Sequence, residues 1–250
     1  VTRYILNYTG GSKGDFLCNY INFEEIKIED NSFNRSQSHS SYFKNLVVNN
    51  FSYDLAEIFL RNNNKTKIFP CHRADKITKF FLNENDIKII QMKYDLSNIK
   101  TVLIEGTIKN NCRTVNYSNS LRFLSLHDNV SSDINLIKKI KYSIDIDLLN
   151  EGYTDINDNN RIKYFDIFFQ NINNKNFLKE KYFNINYIDT EINFFYRDLF
   201  VEKNFEALEQ LFDINSTELS DLIEKTWLPS QFEFCGKIWN LEDYGYRNFN

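Results

Sequence analysis

Glycine and proline are scarce in this chain, with seven and two copies among 250 residues. The four cysteines, Cys18, Cys71, Cys112 and Cys235, include no pair at Cys-x-x-Cys spacing. That rules against a zinc knuckle and a dense disulfide framework. The cysteines are expected to be buried or incidental thiols in a reducing compartment. No apolar run approaches the roughly 20 residues of a membrane span. The start, Val1-Thr-Arg-Tyr, lacks the apolar core and small-residue cleavage site of a signal peptide. The expectation is a soluble, intracellular protein of the cytoplasm with no membrane partner. A surplus of positive charge is also missing: 30 basic against 34 acidic residues give a net charge of −4, which argues against bulk nucleic-acid binding. Three histidines, with no His-x-His or His-Glu-x-x-His, predict no metal site. No Gly-x-Ser-x-Gly elbow is present, which disfavours a hydrolase of that type. The acid pairs Asp145/Asp147 and Asp155/Asp158, expected in loops, lack the fuller spacing of a calcium loop.

What is present is core material. Hydrophobic residues make up 42% and aromatics 16%, enough for one α/β domain spanning residues 1–250, with an aromatic tail over about 227–250. Asn, Ile, Lys, Phe and Tyr are abundant, as AT-rich coding favours, so Asn-rich runs such as Asn157-Asp-Asn-Asn read simply as loops.

Three of the seven glycines, Gly10, Gly11 and Gly14, fall within five residues. Arg3 to Tyr8 before them reads as a strand, and Asp15 to Ile21 after them as a helix. Strand, glycine turn and helix form the setting of a phosphate-binding loop, where backbone amides at a helix start face an anion. Further along, a helix is expected at 52–61 and a strand at 67–72 that Pro70 would end. Another strand is expected at 86–93. The segment from Asp95 to Gly106 fits a helix capped by Asp95 or Ser97, or a strand; propensity does not decide. Ile134–Tyr142 predicts a helix, Arg161–Phe169 a late strand and Asn176–Tyr182 a helix. Two short amphipathic helices are expected at 205–212 and 219–227. Strands alternating with helices predict a three-layer α/β sandwich around a mainly parallel sheet.

Three segments together resemble the sulfotransferase-like branch of the P-loop fold, compact members of which occur in bacteria and their phages. Gly11-Ser-Lys-Gly-Asp-Phe-Leu stands where that family has its donor loop. Lys88-Ile-Ile-Gln-Met-Lys-Tyr-Asp is similar to the strand that leads to the donor's 3′-phosphate site. Arg161-Ile-Lys-Tyr-Phe-Asp-Ile-Phe-Phe looks like a late family segment. The sequence departs from the family at Asp15 and Phe16, which replace phosphate-binding threonines, and at Ser12-Lys13, whose order is reversed. Lys13 also precedes its glycine, so Gly-x-x-x-x-Gly-Lys-Ser/Thr is not matched. The resemblance implies a transferase that moves a sulfonate from the nucleotide donor 3′-phosphoadenosine 5′-phosphosulfate to a hydroxyl-bearing acceptor. Gly11, Ser12, Lys13 and Gly14 would bind the donor, and Lys93 its 3′-phosphate.

Each candidate residue has a functional and a plain reading. Lys13 would neutralise charge on the bridging oxygen, or is a solvated lysine beside a structural turn. Ser12 and the Gly11 and Gly14 amides would hold the anion, or form a tight turn without ligand. His72 at a strand's carboxyl end would take the acceptor's proton, oriented by Asp75, with Arg73 holding an anionic substrate; otherwise it is a loop histidine. His39 and His127 are read as loop residues. The aromatic tail lines an acceptor pocket, docks a protein partner, or packs along the domain. A second function class follows from the departures: a non-enzymatic accessory or virion protein that keeps the fold as a scaffold.

Overall fold

A computed structural model describes residues 2–22, 66–71, 87–125, 133–185 and 187–249. The expected helix at 52–61, and His39, His72, Arg73, Asp75 and His127, lie outside the described residues.

The first strand β1 (Arg3–Asn7) runs into the glycine turn and helix α1 (Gly14–Ile21). Strands β2 (Ile68–Cys71) and β3 (Ile87–Lys93) flank β1 on its two sides, and β4 (Ile192–Phe195) adds beyond β3. All pairings are parallel, with Leu6 opposite Pro70 and Ile90, and Gln91 opposite Asn193. The protein is therefore α/β, with a parallel four-stranded sheet flanked by helices. Pro70 lies inside β2 instead of ending it. At the sheet's margin a proline leaves no central ladder bond unmade.

Between β3 and β4 the described residues are mostly helical. Helix α2 (Leu96–Asn111) follows β3 directly, with Asp95 at its N-cap. It is succeeded by α3 (Tyr117–Ser125), α4 (Ile134–Lys139), α5 (Ser143–Asn150), α6 (Asp158–Ile172) and α7 (Lys175–Phe183). After β4 come a π-helical turn (Asp198–Glu202), α8 (Glu206–Glu209) and α9 (Ser216–Lys225). The hairpin β5 (Gln231–Phe234) and β6 (Lys237–Asn240) leads to a 3₁₀ turn at Leu241–Tyr244.

Two expectations are corrected here. Residues 161–169 are helix, not strand: Asn157, read as loop, caps α6 by accepting the Asn160 N–H at 3.0 Å. Arg161, Phe165, Phe169 and Ile172 then recur on its buried face. The pair Asp145/Asp147 sits in α5, not in a loop.

The apolar interior has two parts. One lies around the sheet and holds Leu6, Ile90, Met92, Phe194 and Phe200; the other gathers Ile144, Leu148, Phe165, Phe169 and the C-terminal hairpin. Helix α2 belongs to both, with Ile99 and Val102 in the first and Ile104 and Ile108 in the second. The aromatic tail is mostly internal: Phe232, Trp239, Leu241 and Tyr246 are buried, and the Trp239 ring packs 5.7 Å from that of Phe165. No helix among the described residues is long and apolar enough to cross a membrane.

Candidate functional site

The glycine turn is held from two sides. Gly11 adopts a left-handed φ of 90°, and a Cβ there would stand 2.2 Å from the Val102 carbonyl oxygen of α2. Gly106 on α2 answers it, since a Cβ at that position would come within 2.8 Å of the Gly10 carbonyl oxygen. Two backbones thus touch where neither can carry a side chain. On the other side, Tyr94 follows β3 and is buried. Its hydroxyl accepts the Thr9 N–H at 2.8 Å and donates to Ser12 Oγ at 2.9 Å. Ser12 Oγ donates in turn to the Thr9 carbonyl at 2.6 Å. Burial pushes the Tyr94 phenol up to about 12, so it stays a donor at neutral pH.

Lys13 takes the left-handed N-cap position of α1 and turns its side chain inward, where it is 1% exposed. Its Nζ donates to both oxygens of Glu105, at 2.8 and 2.7 Å, and to the Thr226 carbonyl at 3.2 Å. It also lies 3.9 Å from the centre of the Trp227 ring. Glu105, fully buried on α2, accepts further bonds from Lys109 at 2.7 Å and the Tyr246 hydroxyl at 2.7 Å. Desolvation lowers the Lys13 ammonium to about 7, against the pull of Glu105. Desolvation also pushes the Glu105 carboxyl up, but Lys109 and Lys13 outweigh it and hold it below its ordinary value. The carboxylate, with two ammoniums beside it, thus keeps its charge more easily than the buried Lys13.

A crevice of about 300 Å³ opens at the carboxyl ends of β1 and β3. Asn7, Thr9 and Gly10 border it from β1, Gln91 from β3, Ile99 and Leu103 from α2, and Lys181 and Asn184 from the end of α7. Asn7 Nδ2 donates to Gln91 Oε1 at 2.7 Å, and the same oxygen accepts the Ile188 N–H at 2.9 Å, fixing both amides in the floor. Glu105 stands two residues beyond Leu103, about 200° round the helix at 3.6 residues per turn. Glu105, and with it the Lys13 ammonium, therefore lies on a different face of α2 from Leu103.

The candidates named from sequence therefore separate. Gly11, Ser12 and Gly14 form the turn beside the crevice, and Lys13 turns to Glu105 on another face of α2. Lys93 ends β3 two residues after Gln91, with its Nζ 4.7 Å from the centre of the Tyr187 ring. Sequence reasoning missed Glu105, Lys109 and Tyr246 around Lys13, and Asn7, Gln91 and Lys181 in the crevice. A carboxylate inside the apolar run Val102-Leu-Ile-Glu-Gly was the one visible signal for the first group. Among the described residues, no three His, Cys, Asp or Glu side chains gather as a metal ion would require. Comparison with known proteins found no matching family model, no matching curated protein and no matching solved structure.

Proposed function

We propose that the crevice binds a nucleotide, and that the chain transfers a sulfonate group there, from 3′-phosphoadenosine 5′-phosphosulfate to a hydroxyl-bearing acceptor. The observation that carries the binding reading is the crevice's place in the sheet. From the neighbouring strands β1 and β3 the chain goes on to β2 and β4, on opposite sides. Open parallel sheets take their ligands at such a switch point, outside the carboxyl ends of the strands. The turn that follows β1 borders this crevice.

The transfer itself rests on the resemblance of the three sequence segments to sulfotransferase-like P-loop proteins. In it the acceptor oxygen attacks sulfur, the bond from sulfur to the bridging phosphate oxygen breaks, and adenosine 3′,5′-bisphosphate leaves. The acceptor's proton goes to a base, the role assigned to His72. Such a reaction needs positioning and charge neutralisation more than covalent help. For Lys13 to serve the donor, its ammonium would have to leave Glu105.

That last point favours a second reading, a scaffold protein without transferase activity, because the loop's own lysine is consumed by Glu105. Adenosine 3′,5′-bisphosphate separates the two. A ligand at a hundredfold its Kd stabilises the folded state by about 2.7 kcal/mol, seen as a raised Tm. Leu103→Trp, which fills the crevice, should abolish the rise. No rise at millimolar ligand in the unaltered protein overturns the nucleotide reading and leaves the scaffold.

A further inference from the structure

We propose that Lys181 is the anion-binding residue of the crevice, so that its ligand seats a phosphate or sulfonate group against this ammonium. The inference rests on the crevice being a ligand site and goes on to say which charge meets the ligand.

Lys181 is the one charged side chain among the described residues that line the crevice, and none of those residues is a carboxylate. It is exposed, and among the described residues no carboxylate pairs with it. Its Nζ lies 5.3 Å from the centre of the Phe177 ring. A lysine in the wall of a cleft whose described lining carries no carboxylate draws anions inward. Lys13 is already neutralised by Glu105 on another face of α2.

The rest of the lining suits the uncharged part of such a ligand. Ile99 and Leu103 offer an apolar wall, while Thr9, Gly10 and Asn184 add backbone and amide groups near the opening. A volume of about 300 Å³ lies at the small end of ligand pockets. It matches a single nucleoside phosphate better than a dinucleotide.

Lys181 also sits in the last turn of α7, where a cation complements the helix dipole. This simpler role predicts an effect on the fold and none on ligand choice, so the test compares a charged ligand with its uncharged parent. Titration calorimetry would measure adenosine 3′,5′-bisphosphate and adenosine on the unaltered protein, Lys181→Gln and Lys181→Arg. The expected result is about a tenfold or greater loss of bisphosphate affinity in Lys181→Gln, as for a lost charge-assisted bond. Adenosine should stay within about twofold, and Lys181→Arg should recover most of the loss. Equal weakening of both ligands, or weakening of neither, overturns the proposal while leaving the crevice as the site. If the unaltered protein binds neither ligand, the nucleotide reading fails and this inference with it.

Discussion

Glu105 and Asp145 are both fully buried carboxylates on helices that pack against each other, and they are neutralised in different ways. Asp145 faces a guanidinium: Arg161 donates through Nε at 2.8 Å and Nη2 at 3.0 Å, and the Lys141 N–H adds a bond at 2.9 Å. Hydrogen bonding to Asp145 raises Arg161 still further above its already high value, so the guanidinium keeps its charge at every pH the fold survives. Glu105 faces ammoniums, and the buried one is lowered to about 7. Arginine makes a fixed joint between α5 and α6. Lysine makes one between α1 and α2 that can lose its proton. The contrast follows from the chemistry of the two cations.

The largest effect should come from breaking each joint. Glu105→Leu leaves Lys13 buried without a counter-charge and should cost about 3–5 kcal/mol in urea unfolding. Arg161→Met should cost somewhat less, roughly 2–4 kcal/mol, since Asp145 keeps the Lys141 N–H. The double change Lys13→Met with Glu105→Leu should recover most of the first loss, because replacing both partners removes the uncompensated charge. If the double variant is as unstable as Glu105→Leu alone, the loss did not come from an orphaned lysine.

Tyr246→Phe comes next. Its hydroxyl donates to Glu105 and accepts the buried Leu228 N–H at 2.8 Å. Losing both bonds should cost about 1–3 kcal/mol, and the same measurement checks it. A change below a few tenths would show that water replaces the hydroxyl.

The smallest effect is with pH. The folded value of Lys13 lies below its unfolded value of 10.5, so the unfolded chain binds the extra proton between the two. Stability should therefore rise with pH above about 7, by at most about 1.4 kcal/mol per unit. The clean window closes near 9, above which burial-raised Cys112 and Cys235 act in the opposite sense. Lys13→Met should flatten the slope, whereas Arg161→Met should keep it.

How much of this was legible in the sequence depends on the kind of signal. The first strand, the glycine turn, α1 and β3 were readable because scarce glycines and a short apolar run mark them. Helix α2 was ambiguous for a physical reason: Ile99, Val102, Ile104, Glu105 and Ile108 are buried on several sides, so no polar face sets its period. Helix α6 was misread because Ile, Tyr and Phe favour strands in isolation, while its i, i+4 pattern of Arg161, Phe165 and Phe169 went uncounted. Strand β4 spans four residues and has too little length to show a pattern. The crevice was illegible because Gln91 bonds to Asn7 across 84 positions and to Ile188 across 97. Lys181 looked like any lysine on a polar stretch.

The bond from Tyr246 to Glu105 spans 141 positions, and a ribosome releases the chain one residue at a time. The glycine turn emerges well before Thr226, Trp227 and Tyr246, and its lysine cannot be fully enclosed until they have followed. Until then Lys13 and Glu105 stay within reach of water, and closing so distant a contact is slow. The turn is thus completed only by residues more than two hundred positions after it, and a nascent chain stalled before residue 226 would carry it open.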